Sequence, residues 1–136
     1  MTINPYLIFN GNCEEALKFY ETTLGGKILS VFRYEGSPMA PSTPPDALNK
    51  VMHARLQLAD TTIMASDAPL GHYAAPQGIQ INITLDDSTE AERLFHLLSE
   101  SGIISVPIAE TFWALRFGML VDRFGIPWMI NCEKPM

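Results

Sequence analysis

The sequence predicts an α+β fold built from two tandem βαβββ modules, each with a cup-shaped mixed sheet. Two observations predict it. Strand-like and helix-like apolar patterns follow one another in the same order twice along 136 residues, and the two halves align residue on residue. Ala16 falls on Ala91, Val31 on Val106 and Glu35 on Glu110 at a spacing of 75. Past a proline-rich stretch the spacing is 65, with Met64 on Met129, and the difference of ten is an inserted loop. One such module has a sheet with an apolar face it cannot bury alone, so two copies have to pack together. The length suffices for one domain with a real core.

In chain order, residues 5–11, "PYLIFNG", form a short apolar strand that ends at a turn. Asn12 opens a helix as N-cap with Glu15 in the capping-box position, and Gly25 or Gly26 closes it. Ala16, Leu17, Phe19, Tyr20 and Leu24 give that helix its apolar stripe. A strand returns at 27–35. Residues 36–49, "GSPMAPSTPPDALN", contain four prolines and can only be loop. Residues 51–60 alternate, with Met52, Ala54, Leu56 and Leu58 on one side and His53, Arg55 and Gln57 on the other, and 61–67 form the next strand. The first module is thus 1–67, a connector "APLGHYAAPQ" covers 68–77, and the second module is 78–136.

The second module opens with strand 78–86. Asp87 caps a helix with Glu90 at the box position, Ala91, Leu94, Phe95, Leu97 and Leu98 line it, and Gly102 ends it. Strands follow at 103–110, 114–121 and 125–131, the last two joined by Asp122-Arg123-Phe124-Gly125. That tetrapeptide suits a type I turn with a left-handed glycine. Gly118 in mid-strand implies close approach of a ligand or of another backbone.

Nine Lys and Arg against fifteen Asp and Glu give a net charge of −6, and no basic run exists. Nucleic acid and anionic membrane surfaces are poor partners for such a chain. No window reaches the apolar length of a membrane span, and the first residues lack the pattern of a secretory leader, so cytoplasmic residence is expected. Cys13 and Cys132 form no CxxC pattern, so neither a zinc knuckle nor a thioredoxin-type site is suggested, and reduced thiols are expected over the alternative of a lone disulfide. Cys13 stands where a helix dipole can lower a thiol's pKa, but no base neighbours it in sequence, and it is read as inert.

The tandem repeat is similar to that of the vicinal oxygen chelate superfamily, which includes glyoxalase I, extradiol dioxygenases and the bleomycin and fosfomycin resistance proteins. "NPYLIFNGNCEEALKFYETTLGGKI", "TTIMASDA" and above all "ETFWALRFGMLVDRFGIPWMIN" resemble its PhnB-like branch, often labelled 3-demethylubiquinone 3-methyltransferase-like. The label implies little activity here, because no glycine-rich strand-to-helix turn is present to hold a nucleotide-like cosubstrate. The resemblance implies a glyoxalase/bleomycin resistance-like fold, a cavity enclosed by the two cups and a homodimer. It also implies divalent-metal positions on four strands, which fall on Pro5 or Tyr6, Met64, Gln80 and Met129. None is a histidine or carboxylate, thioethers are too soft for magnesium or manganese, and an amide offers one neutral oxygen. No metal and no other cofactor are therefore expected.

The expected function is binding of a small, partly apolar molecule in an aromatic-lined cavity. The alternative is a metal-dependent lyase, isomerase or dioxygenase-like enzyme acting on a vicinal dioxygen substrate, with a divalent ion on noncanonical ligands such as His53, Asp67 and Glu110. Candidate ligand-binding residues are His53, Met64, Gln80, Glu110, Trp113, Trp128 and Met129. Both tryptophans fit core filling as well as pocket lining. Imidazole is the side chain suited to proton exchange at physiological pH, which makes His53 the first candidate for acid–base catalysis, with Glu110 second.

Overall fold

The structure, a computed structural model, describes residues 1–135. It is α+β, with two mixed four-stranded sheets and two helices. The chain divides into two compact units, Met1–Ala74 and Ala75 onward. The first runs β1 (Tyr6–Phe9), α1 (Cys13–Leu24), β2 (Lys27–Arg33), β3 (Val51–Leu58) and β4 (Thr61–Asp67). Its sheet order is β1-β4-β3-β2, with β1 parallel to β4 and the other pairs antiparallel. The second runs β5 (Ile81–Thr84), α2 (Ser88–Ser99), β6 (Ile103–Ala109), β7 (Ala114–Val121) and β8 (Pro127–Glu133), in the order β5-β8-β7-β6. The same topology occurs twice, as the aligned halves of the sequence imply.

Each helix covers one face of its own sheet. α1 lies against β2, β3 and β4 and buries Cys13, Ala16, Leu17 and Tyr20 with Phe9, Ala54, Leu56 and Ala65. α2 lies against β6, β7 and β8 and buries Ala91, Leu94, Phe95 and Leu98 with Leu120, Trp128 and Ile130. Each fully buried large side chain contributes roughly 1.5–3 kcal/mol of transfer free energy, which makes these helix–sheet layers the main source of stability. The proline-rich loop between β2 and β3 contains two 3-10 turns, Ala40–Ser42 and Pro45–Ala47, and no strand.

The two helices start differently. Asp87 caps α2 as expected, its side chain accepting from the N–H groups of Thr89 and Glu90. Asn12, at the equivalent position, makes no side-chain cap bond. Asp67, at the end of β4, reaches across instead and accepts from Cys13 N at 2.9 Å. At their C-termini α1 closes on Gly25, as expected, whereas the left-handed residue after α2 is Ser101, one place before the expected Gly102.

The close approach expected at Gly118 comes from inside the unit. A Cβ there would lie 2.6 Å from the Phe95 ring and 3.0 Å from Ile108 Cα. The missing side chain is the slot into which α2 presses its aromatic ring, so no ligand is needed to explain it.

Candidate functional site

With the helices on one side, the other side of each sheet carries the side chains that no helix covers. In the first unit Ala54, Leu56, Ile63 and Ala65 are buried beneath α1, so alternation turns His53, Arg55 and Gln57 of β3 and Met64 of β4 to the opposite face. In register, Arg55 stands opposite Met64 on one side and Ser30 on the other, His53 opposite Phe32, and Tyr6 opposite Met64. Tyr6, Ile8 and Phe32 are exposed on this face.

His53 is half-buried there, and its Nδ1 lies 3.1 Å from the Tyr6 hydroxyl, with the rings 5.7 Å apart. A neutral imidazole that accepts the phenol hydrogen at Nδ1 carries its own hydrogen on Nε2, leaving that nitrogen as a donor. Arg55 is exposed and has no hydrogen-bond or ion-pair partner among the described residues. Sequence reasoning passed over it, although the alternation of β3 already set it on the side of His53.

In the second unit the corresponding face carries Phe117 and Met119 of β7, Met129 and Asn131 of β8 and Asn82 of β5, with Phe117 opposite Asn131, and Met129 between Met119 and Asn82. Trp113, just before β7, is 43% exposed and packs edge-on between Phe112, at 4.7 Å, and Phe117, at 5.3 Å. Asn131 Nδ2 donates to Glu133, while Asn131 Oδ1 is buried without a partner among the described residues. Gln80 is exposed just before β5.

Two candidates, Trp128 and Asp67, are buried on the helix side of their sheets, and a third, Glu110, is held in a surface ion pair. Trp128 is 1% exposed on the helix side of its sheet, and its indole N–H donates to Asp122 Oδ2 at 2.8 Å. It is core, and the partner that a buried indole needs is supplied by the hairpin. The other oxygen of Asp122 accepts from Phe124 N and Ile126 N, so one carboxylate shapes the turn, in which Gly125 has φ 89°, and fixes the tryptophan above it. Asp67 is also on the helix side, with Oδ1 on Cys13 N and Oδ2 on Val51 N. Both oxygens are thus engaged in holding backbone N–H groups of the fold. Glu110 is exposed and ion-paired with Lys134 at 3.0 Å, which holds its carboxyl below the usual range.

A cavity of about 390 Å³ opens at the N-terminus of α1, lined by Asn12, Glu14, Glu15, Arg33, Lys50 and Asp67 among others. Its cations are committed within the fold. Arg33 forks onto both oxygens of Glu14, at 3.1 and 2.9 Å, and Lys50 Nζ donates to Gly11 O at 2.9 Å. The guanidinium holds the Glu14 carboxyl below its ordinary pKa. None of the residues singled out for ligand contact lines this cavity. Cys13 beneath it is fully buried, and burial, with Asp67 and Glu14 adding to it, pushes its thiol far above the usual range, which makes it unreactive.

The positions at which the superfamily resemblance places metal ligands hold Pro5, which has no ligating side chain, or the phenol of Tyr6, thioethers at Met64 and Met129 and an amide at Gln80. These donors do not fit a hard divalent ion. Among the described residues no three His, Cys, Asp or Glu side chains come together as an ion would need.

The model of the 3-demethylubiquinone-9 3-methyltransferase family matches residues 1–131. The chain belongs to this family. Protein YjdN of Escherichia coli strain K12 is 34% identical, with 98% of this chain and 97% of that protein aligned. Among solved structures, protein PA1353 of Pseudomonas aeruginosa is 44% identical with a TM-score of 0.89, covering 99% of both chains. A Bacillus cereus PhnB protein, described as a putative 3-demethylubiquinone-9 3-methyltransferase, is 26% identical with a TM-score of 0.83, covering 96% of this chain and 98% of that one. The fold is shared more widely, at 13% identity and a TM-score of 0.68, with a glyoxylase/bleomycin resistance protein/dioxygenase domain from Frankia that aligns over 98% of each chain. The chain therefore has the glyoxalase/bleomycin resistance fold.

Proposed function

We propose that this PhnB-like chain is a small-molecule-binding protein that holds a compact, partly apolar ligand against the helix-free faces of its sheets and uses no metal to do so. The observation that supports it most is the aromatic cluster of Phe112, Trp113 and Phe117. Its rings are ordered by edge-to-face contacts, yet Phe112 is 88% and Trp113 43% exposed. Large aromatic surface left in water is unfavourable unless something covers it. Polar groups stand among the apolar ones on both faces, namely His53 and Tyr6 in the first unit and Asn82 and Asn131 in the second. Apolar walls with few polar anchors are what small-ligand sites are made of. His53, Met64, Gln80, Trp113 and Met129 remain the ligand-contact candidates, with Glu110 at the rim.

A homodimer is part of the same reading, because a second copy would cover part of this exposed apolar surface. So is cytoplasmic residence: both cysteines are free, and no helix among the described residues is long and apolar enough to cross a membrane.

Thermal unfolding of chelator-stripped protein against a panel of divalent ions tests the metal-free part, with metal content measured on untreated protein. No ion is expected to raise the midpoint. A saturable rise with one ion, together with about one retained equivalent, would replace this reading with the metal-dependent enzyme.

A further inference from the structure

We infer that the ligand of the first unit's open face carries an anionic group, a carboxylate or a phosphate, and that Arg55 is the residue that selects for it. The inference rests on the small-molecule reading above and adds the charge of the molecule to it. The chain has five arginines. Arg33 pairs with Glu14, Arg93 with Glu90, Arg116 with Glu92 and Arg123 with Glu100. Arg55 pairs with nothing among the described residues. In a chain with fifteen acidic against nine basic residues, carboxylates are plentiful, and an arginine kept clear of all of them is placed against the trend.

The sheet around it explains how it is kept clear. The four strands of the first unit contain one acidic residue, Asp67. That residue lies on the helix side, buried, with both oxygens taken by the N–H groups of Cys13 and Val51. Arg55 therefore stands on a face with no carboxylate of its own sheet. Its cross-strand neighbours, Met64 and Ser30, are neutral, and Met64 separates it from Tyr6. In the tautomer whose Nδ1 accepts the Tyr6 hydroxyl hydrogen, His53, two residues earlier on the same strand, presents Nε2 as a second donor. A guanidinium fork with an imidazole N–H nearby, set among Tyr6, Phe32 and Met64, matches an oxyanion attached to a small apolar or aromatic body.

The test uses amide correlation NMR spectra titrated with benzoate, phenyl phosphate and the uncharged benzyl alcohol. Benzoate or phenyl phosphate should shift the β3 amides around Arg55 and bind at least about tenfold more tightly than benzyl alcohol, as charge-assisted hydrogen bonding requires. The tighter of the two anions identifies the head group. Arg55→Gln should bring the anions down to the affinity of the alcohol. Arg55→Lys should keep part of the preference, since it retains charge without the fork. Arg55 has no partner to lose, so both variants should fold normally. If alcohol and anions bind this face equally, or Arg55→Gln leaves anion affinity unchanged, the role of Arg55 is overturned while the small-molecule reading stands. If none of the three probes shifts the residues of either open face, both fall.

Discussion

Asp67 Oδ1 accepts the N–H of Cys13 at 2.9 Å, so the first turn of α1 is capped by a side chain 54 positions further along the chain. The second oxygen takes Val51 N at 2.9 Å, and the Asp67 backbone carbonyl accepts the Tyr34 hydroxyl at 2.9 Å. One buried residue at the end of β4 thus fixes the start of the helix, the start of β3 and the chain leaving β2. In the second unit the same need is met locally by Asp87, and Cys132 occupies the place equivalent to Asp67.

Asp67→Ala should therefore be among the costliest polar substitutions, by roughly 2–4 kcal/mol, because it orphans two buried N–H groups. Asn12→Ala should change stability by less than about 0.5 kcal/mol, since Asn12 makes no cap bond to lose. Urea unfolding of the two variants checks the contrast, and comparable losses would mean that Asn12 caps the helix after all.

The tryptophans should separate in the same way. Trp128→Phe removes the donor to Asp122 Oδ2 inside the core and should destabilise by roughly 1–3 kcal/mol. Trp113→Ala removes a ring already 43% exposed and should cost about 1 kcal/mol or less. Equal losses in denaturant unfolding would remove the distinction between core and open face on which the placement of the site depends.

Gly118→Ala puts a methyl 2.6 Å from the Phe95 ring and should destabilise by about 1–3 kcal/mol, the usual cost of overpacking. Combining it with Phe95→Leu should cost less than the sum of the two single changes. Strict additivity would show that the ring is not what excludes a side chain at this position.

The Glu14–Arg33 pair sets a pH dependence. Hydrogen bonding to Arg33 lowers the Glu14 pKa below its ordinary 4.5, so its contribution is present above that value and is lost as pH falls through the lowered one. Both side chains are about one-third exposed, so the effect is small, under about 1 kcal/mol. Glu14→Gln should lower stability at neutral pH and converge on the parent protein as both are acidified below the carboxylate range. A gap that persists at low pH would point to a cause other than this charge pair.

The order of elements was legible because hydrophobic period and turn residues are local, and the repeat made each half a check on the other. Asp87 was recognisable as a cap for the same reason: the N–H groups that donate to it are two and three residues away. Asp67 was not, since its partners are distant in sequence and only the β1–β4 pairing brings it to α1. The same limit explains Trp128. Alternation separated the two faces of β8, but which face α2 covers depends on packing. Arg55 was visible as a strand residue beside His53, and its significance, being the arginine without a carboxylate, appears only once the other four have found theirs.

The open aromatic surface is probed most directly by titrating 8-anilinonaphthalene-1-sulfonate, an anionic dye with an apolar aromatic body that becomes fluorescent when shielded from water, into the parent protein and Trp113→Ala. Saturable binding by the native protein, weakened about tenfold in the variant at unchanged fold stability, is the expected result. No binding to the native protein, or equal affinity for both proteins, would contradict the proposal that these faces receive the ligand.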